Sequence, residues 1–308
     1  MTSSPPETGS RAGVTAALTA YALWGLVPLY WRLIDGAGAF EVLAHRIIWS
    51  LAFGVLLVLL FARTRWRRQL ASPRTLLTLA AAAGFVTINW GVYIWAVTND
   101  RVTETALGYY INPLISILFG VLLLQERLAP IQWVAIGLAA IAVVVITIGY
   151  GRLPWVALLL ASSFGIYGVI KKRVTVEPIV SLTYESAVAT LPALLFLGWL
   201  AARGGSHFGQ QPLSQDLLLM GGGVVTAVPL LAFAFAAQRI PLSLLGITQY
   251  LAPTIQFVLG VAVFGEPMPP ARWAGFMLVW LALMLITGHA LWRARRRRTG
   301  SPGGTPAG

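Results

Sequence analysis

The sequence predicts an all-α integral membrane protein with ten transmembrane helices, arranged as two inverted five-helix repeats. Composition is the first reason, because the 308 residues are 57% hydrophobic and only 10% charged, with a mean hydropathy of +0.77. The second is that apolar segments of about 20 residues, each able to cross a hydrocarbon core of about 30 Å as a helix, recur along the chain. The third is an internal repeat at a constant offset of 140 residues.

The apolar segments are continuous, whereas a membrane barrel would show short stretches of alternating hydrophobicity. Helices are therefore predicted throughout. The ten predicted spans are 13–34, 39–62, 75–97, 103–124, 130–150, 153–171, 178–202, 216–237, 243–264 and 271–292.

The repeat is clearest between segments 109–133 and 249–273. The offset of 140 residues pairs Tyr110 with Tyr250, Pro113 with Pro253, Glu126 with Glu266 and Trp133 with Trp273. Shared Pro, Glu, Trp and Tyr are not expected from an apolar background, so the pattern indicates a duplication. It predicts a first repeat over 13–150 and a second over 153–292, between a disordered tail at 1–12 and a basic disordered tail at 293–308.

The basic residues predict the orientation of the chain. Of the 22 Lys and Arg residues, 16 fall on the side that holds both termini and four on the opposite side. By the positive-inside rule both termini are cytoplasmic, in a multi-pass protein of the plasma (inner) membrane. Because the first repeat has five spans, the second begins on the other side and runs antiparallel to it. The net charge of +12 then reflects topology, and nucleic-acid binding is not predicted.

Polar residues form stripes near the middle of several spans, and these are the candidate substrate pathway. Tyr109, Asn112 and Ser116 follow i, i+3, i+7 spacing and share one helix face. An alternative is that they make polar contacts between helices. The pathway set comprises Asn89, Tyr93, Tyr109, Asn112, Ser116, Gln249 and Gln256.

Charged residues inside spans are the second candidate group. A charge at the bilayer centre costs about 2.5 to 3.5 kcal/mol on insertion scales, so ionisable residues there are functional candidates. His45 and Glu185 occupy equivalent repeat positions, and Arg46 is adjacent. We hypothesise that they couple transport to protons or bind a charged substrate group; for Arg46, snorkelling to the interface is the alternative. Glu126 and Glu266 are interpreted as interfacial turn residues.

Other classes of protein are poorly supported by the sequence. The chain has no cysteine, which excludes disulfides and thiolate ligands. Motifs for metal-dependent hydrolysis, acyl transfer or nucleotide binding are missing, so no enzyme, cofactor or metal site is predicted. Trp31 and Arg32, near the end of the first span, are typical of an interface anchor.

Several segments resemble one known family. They are AYALWGLVPLYWRLI, EVLAHRIIWS, NWGVYIWAVTND, ALGYYINPLISILFGVLLLQERL, GVIKKR and TQYLAPTIQFVLGVAVFGEP. The chain resembles the RarD branch of the EamA-type transporters, in the drug/metabolite transporter superfamily, over residues 13–292. The resemblance implies a ten-helix inner-membrane carrier with paired EamA repeats, in which spans one, three, four, six, eight and nine surround the cavity. Relatives are called chloramphenicol-sensitivity proteins. The second repeat departs from symmetry, with Ala252 opposite Asn112 and Pro229 opposite Asn89.

Together these observations predict a secondary transporter of a small organic metabolite or drug-like molecule. Inverted repeats are typical of alternating-access carriers, whose substrate binds between the repeats. The expected partners are a small-molecule substrate, the lipid bilayer and, as a hypothesis, protons; no oligomeric state is predicted. The alternatives are a channel-like facilitator and a non-transporting membrane partner protein.

Overall fold

The computed structural model describes residues 7–62, 65–125, 129–171, 174–237, 239–240, 244 and 248–299, and within them it is helical with no β-strand. The helices are α1 (Glu7–Trp31), α2 (Ala39–Leu57), α3 (Arg65–Gln69), α4 (Pro73–Thr98), α5 (Val102–Leu124), α6 (Pro130–Tyr150), α7 (Trp155–Lys171), α8 (Pro178–Ala202), α9 (Leu213–Ala237), α10 (Leu251–Val258) and α11 (Pro270–Thr299). Two π-helical segments, Val58–Ala62 and Leu259–Val263, continue α2 and α10.

Seven stretches of helix in the described part are long and apolar enough to cross a membrane. They lie in α1, in α2 with its π-helical continuation, and in α4, α6, α8, α9 and α11. The helical membrane class is therefore confirmed, and seven of the ten predicted spans meet this criterion. The other three predicted spans correspond to α5, the shorter α7, and α10, whose predicted start at 243 lies outside the described residues.

Proline sets the beginning of several of these helices. A proline occupies the first helical position of α4, α6, α8 and α11, where its missing N–H removes no helical hydrogen bond. Before α6, the backbone N–H of Ala129 donates to Oε1 of Gln132 at 2.8 Å. At the other end, α6 stops at Gly151, whose φ of 71° is readily adopted by glycine.

The chain ends differ from the predicted tails. The segment 1–12 was expected to be disordered, but α1 begins at Glu7. The segment 293–308 was also expected to be disordered, but α11 continues to Thr299. Arginine is a good helix former, so the basic run extends the preceding helix.

Helix packing relates the two halves of the chain. At the 140-residue offset, α1, α2, α4, α5 and α6 correspond to α7, α8, α9, α10 and α11. Three helices pack against their own counterparts: α2 on α8, α5 on α10 and α6 on α11. The other main contacts recur when both helices are replaced by their counterparts in the other half. The contact of α1 with α9 corresponds to that of α7 with α4, and the contact of α2 with α9 corresponds to that of α8 with α4. Likewise, α1 packs on α10 and α7 packs on α5.

The outer surface of the bundle is strongly apolar. Trp133 and Ile148 on α6, and Leu191 and Leu195 on α8, are among many exposed large hydrophobic residues. Contiguous apolar surface of this kind is unfavourable in water and is expected where helices face lipid. The surface thus agrees with a multi-pass membrane protein.

Candidate functional site

Arg46 lies in the first half of α2, where four helices meet. Its Nε donates a hydrogen bond to Oγ1 of Thr226 on α9 at 2.9 Å. The guanidinium carbon lies 4.1 Å from the ring centroid of Trp90 on α4 and 5.5 Å from that of Trp31 on α1. The side chain is thus directed into the bundle, in a cation–π arrangement. The snorkelling alternative does not describe this geometry.

The charge of Arg46 has no acidic partner in the part of the chain that the structure describes. None of the ion pairs among the described residues includes Arg46, although the residue is only 9% exposed. Within the same residues its one hydrogen bond is made by Nε, so the two terminal nitrogens have no protein acceptor. An arginine in this state offers a fork of N–H donors suited to a planar oxyanion.

Tyrosine and glutamine side chains adjoin this arginine. The phenol groups of Tyr93 and Tyr109 lie near the Arg46 side chain, and their ring centroids are 5.8 Å apart. Nε2 of Gln256, on α10, donates to the Tyr93 hydroxyl and to the backbone oxygen of Trp24, each at 3.2 Å. Three residues of the predicted pathway therefore meet beside Arg46 and join α4, α5 and α10.

The predicted stripe along α5 becomes more exposed away from Arg46. Tyr109 and Asn112 are partly buried and Ser116 is exposed. Oδ1 of Asn112 is buried and has no hydrogen-bond partner among the residues the structure describes, which is an unfavourable state for a carbonyl oxygen. Gln249, just before α10, is partly buried. The pathway role of this stripe stays a prediction.

Asn89 makes a contact between helices. Its Nδ2 donates to the backbone oxygen of Leu160 at 2.9 Å and to Oγ of Ser163 at 3.0 Å, both on α7. Both amide protons are thus used to hold α4 against α7. This placement favours the polar-contact interpretation of Asn89.

His45 faces a different environment from Arg46. Its ring stacks on Phe208, in the loop between α8 and α9, with centroids 4.6 Å apart. The same loop is held by Glu41, whose carboxylate accepts from the backbone N–H of His207 at 2.7 Å and lies 2.8 Å from the His207 Nδ1. His45 therefore belongs to the junction of α2 with this loop.

Glu185 is buried among hydrogen-bond donors at the opposite end of the bundle. Its Oε1 lies 2.9 Å from Nζ of Lys171, at the end of α7. Oγ of Ser181 donates to the same oxygen at 2.6 Å, and the Tyr167 hydroxyl donates to Oε2 at 3.1 Å. His45 and Glu185 occupy equivalent repeat positions but lie at opposite ends of the bundle, and these contacts do not join either residue to the Arg46 cluster.

Glu266 has a more specific role than the predicted turn residue. It is buried, and its carboxylate accepts from the backbone N–H groups of Val102 and Thr103 and from the Thr103 hydroxyl, the last at 2.6 Å. The carboxylate thus caps the N-terminus of α5. Arg272 donates to the same hydroxyl at 3.1 Å. The equivalent Glu126 lies outside the described residues.

The sequence did not indicate several partners in these clusters. Trp31 was expected at the membrane interface but is 1% exposed and faces Arg46, because α2 and α9 pack against its ring. Arg32, its neighbour, forms an ion pair with Asp100. Thr226 lies inside a helix and Lys171 at the end of one, and neither position is unusual in sequence. Their contacts with Arg46 and Glu185 join different helices, so the sequence does not indicate them.

Comparison with known proteins identifies the class. The model of the EamA-like transporter family matches residues 11–148 and 153–288. A protein named RarD from Streptomyces exfoliatus is 52% identical over 293 residues, covering 95% of this chain and 93% of that protein. An uncharacterised transporter of Bacillus subtilis is 42% identical over 287 residues, covering 90% and 94% of the two chains.

The fold and these relatives define a multi-pass membrane transporter. The chain belongs to the EamA-like transporter family, in its RarD branch; the RarD protein of Escherichia coli is 40% identical over 288 residues, covering 93% of this chain and 97% of that one. A more distant relative from Pseudomonas aeruginosa, named a chloramphenicol-sensitive protein RarD, is 29% identical over 294 residues, covering 94% and 97%. A solved crystal structure at 21% identity and a TM-score of 0.56, covering 96% of this chain and 100% of that one, shares the fold.

Proposed function

We propose that this protein is a secondary transporter of a small organic molecule, working by alternating access in the plasma membrane. The observation that carries the proposal is the polar cluster around Arg46, which brings together side chains of α2, α4, α5, α9 and α10. These helices come from both repeats. Membrane carriers bind their substrates at such a meeting of repeats, near the bilayer midplane.

The packing supports two repeats of opposite orientation. Most contacts between helices recur when each helix is replaced by its counterpart in the other half. Residues near the relating axis are expected to meet their own equivalents, and the rings of Tyr110 and Tyr250 stack with centroids 6.5 Å apart and an interplanar angle of 23°. Two similar halves give two conformations of similar energy, one open to each side of the membrane. In this proposal each half contributes five of the ten spans.

Charge supports the orientation. The end of the bundle that holds Lys171 also holds Arg65, Arg67 and Arg68, and the positive-inside rule assigns it to the cytoplasm. The opposite end is then external. Several links tie helices together there, including the Glu266 cap on α5 and the ion pair between Arg32 and Asp100.

Counterflow in proteoliposomes tests the carrier mechanism. A ligand is first chosen by thermal shift from small organic acids, amines and neutral compounds. Vesicles are then loaded with unlabelled ligand, and a trace of labelled ligand is added outside. A carrier gives a transient internal excess of label, because exchange is faster than net loss. Equilibration without an excess would indicate the channel-like alternative, and no protein-dependent movement would indicate a non-transporting protein.

A cross-link provides the matched control. The chain has no natural cysteine, so an Arg32→Cys and Asp100→Cys pair is unique for a short bifunctional thiol reagent. Joining these positions fixes the external end, and counterflow should stop. The same reagent on the single Asp100→Cys variant should leave counterflow unchanged. Continued counterflow by the cross-linked protein would contradict alternating access at this end.

A further inference from the structure

The Arg46 cluster indicates the chemistry of the substrate, and this inference rests on the proposed transport function. We propose that Arg46 is the binding group for the carboxylate of a small organic acid with a flat apolar body. Its positive charge is buried, it has no acidic partner among the described residues, and its terminal nitrogens lack protein acceptors there. The unmatched donors fit an oxyanion supplied by the substrate.

The surroundings of Arg46 select a carboxylate that approaches the end of the guanidinium, at its two terminal nitrogens. The bond from Nε to Thr226, at 2.9 Å, holds one edge of the guanidinium. The Trp90 ring, 4.1 Å from the guanidinium carbon, covers one of its faces. Two terminal nitrogens then remain, and they match the two oxygens of one carboxylate in a bidentate pair. A cationic substrate would meet uncompensated like charge at this position.

The walls of the cluster suit an apolar ring. Four aromatic side chains lie near Arg46, namely Trp31, Trp90, Tyr93 and Tyr109, and of these Trp90 and Tyr109 are partly exposed. Flat aromatic faces bind flat apolar groups with little loss of side-chain entropy. Asn112, one turn beyond Tyr109, has a buried Oδ1 that no described residue hydrogen-bonds, and this oxygen can accept a hydrogen bond from a hydroxyl on the ligand. The preferred substrate is thus a carboxylate with an apolar ring and an additional donor.

Four probes of similar size separate these features. Phenylacetate carries a ring and a carboxylate, mandelate adds a hydroxyl, phenylacetamide replaces the carboxylate by a neutral amide, and benzylamine carries a cation. Binding to the purified full-length protein is measured by calorimetry and thermal shift. We expect mandelate to bind most tightly, then phenylacetate, whereas phenylacetamide and benzylamine should bind weakly or not at all.

Variants assign the carboxylate to Arg46. Arg46→Gln should weaken phenylacetate binding about thirtyfold or more, because a buried charge partner is lost. Thr226→Val should weaken phenylacetate binding less, since the positive charge remains but the guanidinium loses the hydrogen bond that orients it. Asn112→Leu should remove the advantage of mandelate over phenylacetate. Arg203→Gln is the matched control, because Arg203 is exposed and also lies over a tryptophan, with its guanidinium carbon 4.6 Å from the Trp199 ring centroid.

Equal affinity for phenylacetate and phenylacetamide would overturn the proposal, as would unchanged phenylacetate binding by Arg46→Gln and Thr226→Val. No binding of either carboxylate at millimolar concentration would also overturn it. Folding of Arg46→Gln is checked by its melting temperature without ligand, which should not fall, because a buried unpaired charge has been removed. Counterflow with a non-carboxylate ligand would retain the transporter and reject only this substrate class.

Discussion

Gly25 on α1 packs directly against Ile255 on α10. A Cβ atom added to Gly25 would lie 2.7 Å from Cβ of Ile255, which is too close for any side chain. The contact recurs at the 140-residue offset, where a Cβ on Gly165 would lie 3.2 Å from Cγ2 of Ile115 and 3.0 Å from Cδ2 of Phe119. Glycine at both positions lets equivalent helices approach closely, as small residues do in membrane helix packing.

Alanine at these glycines should therefore destabilise the protein in a graded manner. We expect Gly25→Ala to cost about 1–3 kcal/mol, because the new methyl group meets a β-branched side chain close to the backbone. Gly165→Ala should cost less, since the nearest atom belongs to a ring that can move. Thermal unfolding in detergent measures the order. Gly84→Ala, on α4, is the control: nothing lies within 4 Å of an added Cβ, so its melting temperature should not decrease. A Gly25→Ala melting temperature equal to that of Gly84→Ala would refute the close contact.

Loss of the Glu266 carboxylate should loosen the start of α5. Glu266→Ala leaves the buried N–H groups of Val102 and Thr103 unpaired, at an expected cost of about 2–4 kcal/mol. Amide hydrogen exchange should increase at these two residues and little elsewhere. Glu177→Ala is the control, since Glu177 precedes α8 without a side-chain cap and should change stability by about 1 kcal/mol or less. Unchanged exchange at Val102 and Thr103 in Glu266→Ala would contradict the cap.

The helices could be predicted largely from the sequence, because hydropathy and proline are local signals. The predicted spans 130–150 and 178–202 have the bounds of α6 and α8, each of which starts at a proline. The ends of the chain were predicted less well. Polar composition at 7–12 and 293–299 indicated disorder, but each segment adjoins a long helix, and helix extension costs much less than helix nucleation.

The candidate site could be predicted only in part. Tyr93, Tyr109 and Gln256, which meet beside Arg46, were selected because polar residues inside apolar spans are conspicuous; their role in binding stays a prediction. Trp31 was misplaced, since a tryptophan beside an arginine near the end of a span is typical of the interface. Its burial depends on contacts with α2 and α9, and so on tertiary structure. The pairing of Lys171 with Glu185 was missed because Lys171 counted only as one of the basic residues that set topology.

The topology itself is testable with reporter fusions. A reporter joined after Arg68 should be active on the cytoplasmic side, because the basic loop before α4 is retained inside. One joined after Arg203, at the end of α8, should be active outside. A fusion after Lys171 serves as a second internal control. The same location for Arg68 and Arg203 would exclude ten spans and, with them, the inversion of the repeats.

The last prediction concerns coupling to protons through Glu185. Its carboxylate is buried and binds Lys171, Ser181 and Tyr167, and these contacts would have to be exchanged if the group carried a proton across the membrane. If Glu185 carries the proton, Glu185→Gln should retain counterflow but lose accumulation driven by a pH gradient across the proteoliposome membrane.

The difficulty is that Glu185→Gln also leaves Lys171 without its buried partner, which should lower stability by about 1–3 kcal/mol. The Lys171 side chain is 26% exposed, so the lower part of that range is expected. A double variant, Lys171→Gln with Glu185→Gln, separates the two effects. It should recover melting temperature, because no charge is left unpaired, but should not recover gradient-driven accumulation. Glu177→Gln, at a carboxylate whose side chain is 42% exposed, should accumulate the ligand normally. Full accumulation by the Glu185→Gln single variant would show that Glu185 is a structural partner of Lys171 and not a proton carrier.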